Sequence, residues 1–115
     1  MRLKSALWVA AYLRRCQVEG IPAVVRRRGA EEAGAIFVRI DRLDGTSDLY
    51  GPAPQSAFDA TSSAERAFSA SLPEQPAPDA SIEIYLAREI KFDPDIWILE
   101  VEERNGRNFL DVFTG

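Results

Sequence analysis

A chain of 115 residues with 46% hydrophobic and 28% charged residues has the size and composition of one compact domain. Its net charge of -4 argues weakly against a dedicated nucleic-acid binder, and one cysteine with no histidine excludes an internal disulfide and nearly excludes zinc and iron–sulfur sites. The charge is uneven: residues 1–42 hold nine Lys/Arg against four Asp/Glu, and residues 43–115 hold five against fourteen. That asymmetry permits steering or head-to-tail association, and it is equally cancelled if the halves pack side by side.

The opening MRLKSALWVAAYLRRC has an apolar part that Arg14 and Arg15 break after about nine residues, against the roughly 20 a bilayer span needs. It reads as a folded helix rather than a signal peptide, and the expected location is the cytoplasm. The helix should run over Ser5–Val18, with Ser5 as its cap and Gly20 and Pro22 as its stop. Ala6, Val9, Leu13 and Cys16 form the stripe expected to be buried, with Trp8 and Tyr12 as an adjoining aromatic edge. Arg14 and Arg15 then project towards water or a partner. Cys16 reads as a packed small hydrophobe, since no histidine could serve it as a base.

Residues 21–27 read as a strand whose Pro22 belongs at its start or on an edge. Residues 29–34 form a loop. Residues 35–43 are a clearer strand, with Ile36, Val38 and Ile40 on one face and Phe37, Arg39 and Asp41 on the other. Asp44-Gly45 predicts a hairpin turn into a short strand ending at Gly51. Residues 55–79 read as a variable connection. Within it, Ser62 and Glu65 match a capping box, so a short helix is expected over 63–72, followed by an exposed linker over 73–79. Asp79 should cap a second helix reaching Ile90, with Ile82, Leu86 and Ile90 towards the sheet. Asp93-Pro94-Asp95 turns the chain into a strand over 96–103, and Asn105-Gly106 predicts a final hairpin. The sum is a single α+β domain: an antiparallel sheet of about five strands built from hairpins, with two to three helices mainly on one face.

Little in this chain points to catalysis. Asp93 and Asp95, with Glu100, are candidates for an all-oxygen divalent-metal site, but a helix-to-strand turn and a wet strand face are the preferred explanation. No cofactor is expected. The arginine run Arg26, Arg27 and Arg28 is more specific. Two of the three can project together, alongside Arg14 or Arg15 and with Arg39 as a further member, to hold carboxylate or phosphate groups bidentately. The leading reading is a non-enzymatic domain docking an acidic protein partner on this edge, with self-association through Trp8, Tyr12 or the terminal hairpin. Nucleic-acid binding is the alternative, and a carboxylate-based enzyme a more distant one; no membrane association is expected.

The LRRC and RRRG blocks, the segment SDLYGPAP at 47–54 and FDPD at 92–95 together resemble a family of small alphaproteobacterial proteins, domain of unknown function 1491. The resemblance spans essentially the full chain except residues 57–80. It implies a single bacterial domain and carries no catalytic or binding residues across to these positions.

Overall fold

The computed structural model describes residues 3–54 and 66–114. Its elements are α1 (Ser5–Val18), β1 (Ala23–Arg27), β2 (Ile36–Asp41), β3 (Thr46–Pro52), β4 (Phe68–Ala70), β5 (Ala77–Pro78), α2 (Asp79–Phe92) and β6 (Trp97–Glu102). The sheet runs β1-β6-β2-β3-β4, and β5 also pairs with β3. This is the expected α+β class, with a multi-stranded sheet and two helices packed against it.

Two details of the sheet differ from the sequence reading. It is mixed, because β6 lies parallel to β2 while the other strand pairs are antiparallel. The helices also lie on opposite faces. Ile36, Val38 and Ile40 of β2 and Trp97, Leu99 and Val101 of β6 pack with Val9, Tyr12 and Cys16 of α1. Phe37 and Ile98, pointing the other way, pack with Ile82 and Leu86 of α2. Central strands buried on both faces are apolar nearly throughout, which is why IFV and WIL read as runs.

That placement of β6 abolishes the expected terminal hairpin. β6 already has β1 on one side and β2 on the other, so no edge is left for a returning strand. After Asn105-Gly106 the chain instead crosses α1, where Tyr12 donates its hydroxyl to the Asn108 carbonyl at 2.7 Å. It then reaches β4, where Phe68 N–H donates to Asp111 O and Phe113 N–H to Phe68 O. Phe109 and Leu110 pack on the α1 core on the way.

The helix expected over 63–72 is likewise absent from its described part. Ser62, Ala64 and Glu65 lie outside the described residues, but Phe68–Ala70 is strand β4, held by β3 and by the burial of Phe68 beside Trp8. Residues 73–79 do not form a free linker. The Gln75 side-chain carbonyl accepts from the N–H groups of Leu49 and Leu72, and β5 pairs with Thr46 and Ser47.

Neither expected side-chain cap forms. Ser5 is the first residue of α1, and its hydroxyl donates to Gly34 O at 2.6 Å while accepting from Arg66. The carbonyls of Glu32 and Glu31 accept from the N–H groups of Ser5 and Ala6. Asp79 sits in the first turn of α2, where its charge suits the helix dipole, and bonds Ser47 and Arg39 instead. Cys16 is fully buried, as expected of a packing residue, and burial pushes its thiol pKa up.

Candidate interaction edge

β1 ends the sheet, and its outer side has no strand neighbour among the described residues. Its register against β6 slips between Val25 and Arg27, so Arg26 is an extra residue in a bulge. This bulge scatters the arginine run. Arg26 turns over the α2 face and makes a bidentate pair with Glu83 at 2.7 and 2.6 Å, plus a bond to Glu100 at 2.9 Å. Arg27 donates to the Pro94 carbonyl, and Arg28 lies 5.0 Å from the ring centre of Trp97. Arg15 stacks on Phe109 at 4.7 Å and lies 3.5 Å from Glu19. Arg14 is exposed on α1. The structure therefore does not gather these side chains into one patch.

Arg26 belongs to a larger assembly that sequence reasoning missed. At its centre is Arg39, on the α2 face of β2, which contacts Asp79 at 3.0 Å, Glu83 at 3.2 Å, Glu100 at 3.0 Å and Ser47 at 3.1 Å. A signal existed. Asp79 and Glu83 are four residues apart on one helix face, and Arg39 follows the apolar run Ile36, Phe37 and Val38. Burial alone would lower the Arg39 pKa, but the hydrogen bonds it donates to Asp79 and Glu100 keep it raised.

Hydrogen bonding to Arg26 holds Glu83 below its ordinary value of 4.5, outweighing the burial that opposes it. A lowered carboxyl pKa contributes stability at pH above the unfolded value and loses it as pH falls through the folded one. The melting midpoint should therefore hold from about pH 7 to about pH 5 and fall below that. Glu83→Gln should lower the neutral-pH midpoint and flatten the acid slope. An unchanged acid slope in that variant would assign the pH response to other carboxylates.

The carboxylate candidates do not converge. Asp93 accepts from the backbone N–H of Asp95 at 3.0 Å, an Asx turn, while Glu100 is held by Arg26 and Arg39. Among the described residues no group of three or more Cys, Asp or Glu is arranged to hold a metal. A cleft of about 160 Å³ beside β1, lined by Pro22, Ala23, Val24, Asp41, Glu100 and Glu102, is smaller than the ~300 Å³ at which ligand pockets begin. Tyr12 is buried, and Trp8 is half-buried against it with ring centres 5.0 Å apart, so Tyr12 presents no free aromatic surface.

The RRRG and FDPD blocks meet in space. Besides the Arg27–Pro94 bond, Ala30 N–H donates to Asp95 O, and the Trp97 indole N–H donates to Ala30 O at 2.8 Å. Both blocks thus serve architecture, latching the loop after β1 to the start of β6. No described helix is long and apolar enough to cross a membrane.

The family model described as "Protein of unknown function (DUF1491)" matches residues 3–111. A crystal structure of a DUF1491 family protein from Caulobacter crescentus is 34% identical, with a TM-score of 0.78, and the match covers 99% of this chain and 100% of that one. The solution structure of protein Atu0922 from A. tumefaciens is 42% identical with a TM-score of 0.82, covering 100% and 98%. An NMR structure of a C. crescentus DUF1491 family protein is 35% identical with a TM-score of 0.77, covering 99% of each chain. No curated protein matches. The matched span and the shared fold agree with the sequence resemblance, and the chain belongs to the DUF1491 family.

Proposed function

We propose that the chain is a non-enzymatic, cytoplasmic protein-interaction domain whose docking edge is β1. The observation that carries this reading is the state of the strand: among the described residues it is paired on one side only, and Val24 and Val25 are 59% and 38% exposed. Glu102 N–H donates to Pro22 O, so in the alternating antiparallel pattern Ala23 and Val25 turn their own N–H and C=O groups outwards. An extended segment of another protein can add there as a strand. Arg27 and Arg28 close the edge with positive charge, which suits an acidic segment. The bulge and the arginines oppose pairing with a second β1, so a different protein fits this edge better than a copy.

The test is affinity purification from lysate at low and high salt with wild type, Val25→Pro and the double variant Arg27→Glu, Arg28→Glu, each checked for native melting. Proline at 25 deletes an outward N–H at a tolerated edge position. A protein held by wild type and weakened at least about tenfold by both variants is the expected result. Nuclease-sensitive material in its place would replace this reading with nucleic-acid binding. A partner indifferent to both variants would remove β1 as the docking edge.

A further inference from the structure

The outward side of α1 does not look like a solvated helix face. Opposite the buried Ser5, Val9, Tyr12 and Cys16, the 3.6-residue period places Leu7, Ala10, Ala11, Arg14 and Val18 in one stripe, with Leu3 exposed just before the helix. Leu3, Leu7 and Val18 are 53%, 56% and 72% exposed, and Arg14 is the only charge in the stripe. Apolar residues on both sides of a helix mark one that is covered on both sides.

We propose that a second copy of this chain covers it, with the two α1 helices antiparallel across a two-fold axis between Ala10 and Ala11. The stripe is self-complementary about that point. The Arg14 stem falls opposite Leu7 of the second copy and Ala10 opposite Ala11, and the two small alanines let the backbones approach. Charge is complementary in the same register. At the start of α1, Glu32 lies 3.5 Å from Lys4, and Arg15 lies one turn from the other end on that same rim. The two-fold axis brings Arg15 of each copy to Glu32 of the other. Exposed Arg15 has a 3.5 Å contact with Glu19 and its stacking on Phe109 to exchange for it. This surface is separate from β1, so either can be present without the other.

One short helix face lies at the low end of specific interfaces, so half-dimerisation is expected at about 0.1 mM. Sedimentation equilibrium of the full chain should show mass rising towards the dimer through that range. Ala11→Glu places two carboxylates beside the axis and should weaken association at least about tenfold, with melting unchanged in dilute solution. Arg15→Glu should also weaken it, and adding Glu32→Arg should restore it. A chain that stays monomeric to about 1 mM overturns the proposal. So does a dimer unaffected by Ala11→Glu, or a double variant that fails to recover.

Discussion

Arg39→Ala is expected to destabilise the fold by about 2–4 kcal/mol, a fall of roughly 10–20 °C in melting midpoint for a domain of this size. The side chain is 11% exposed and lies between the sheet and α2, within 3.2 Å of three carboxylates. Removing it leaves Asp79, Glu83 and Glu100 facing one another across a cavity, with Arg26 as the remaining cation bonded to two of them. Breaking a buried pair costs about 3–5 kcal/mol, and the 30–44% exposure of these carboxylates moves the expected figure down. Arg39→Met should be nearly as damaging, because filling the space does not pair the charges. Arg39→Lys should recover part of the loss, since one ammonium cannot match the guanidinium fork on several acceptors. Urea unfolding at neutral pH measures all three. A loss below about 1 kcal/mol for Arg39→Ala would mean the cluster behaves as ordinary surface pairs.

The same arginine shows where sequence reading runs out. Period located α1, β2, α2 and β6, because each buries its own apolar stripe against a neighbour, and the Asp44-Gly45 turn located β3. They could not say that Arg39 has four partners from three other elements, because those contacts exist only once α2 crosses the sheet. The failed hairpin has the same origin. Asn105-Gly106 is a turn, as the dipeptide signals, but local turn chemistry does not know that β1 and β2 already occupy both sides of β6. At Phe68 the helix expected from the capping box lost to an open sheet edge and to ring packing beside Trp8. The arginine run was legible as an edge and misleading as a patch, because the bulge at Arg26 sends adjacent guanidiniums to Glu83, Pro94 and Trp97.

The contact between the RRRG and FDPD blocks makes a second strong prediction. Gly29→Ala should cost about 3 kcal/mol, because the added methyl meets backbone rather than a side chain that could swing away. Its carbon would sit 2.6 Å from Ile96 C and from Trp97 Cδ1, and closer still to the Asp95 carbonyl oxygen. Relief requires loop 29–34 to lift off the start of β6. The Ala30–Asp95 bond, the indole bond to Ala30 and the stacking of Arg28 on Trp97 would then weaken together. Gly20→Ala is the control. Its φ of 72° strains any side chain, but nothing lies within 4 Å of the new carbon, so about 1 kcal/mol is expected. Indole fluorescence in a Trp8→Phe background reports on Trp97 directly and should shift for Gly29→Ala but not for Gly20→Ala. Because this latch also fixes the basic end of β1, Gly29→Ala should weaken partner capture at temperatures where the domain remains folded. Equal, small losses for the two glycines would mean that the loop is not clamped against β6, and the placement of Arg27 and Arg28 would then need another cause.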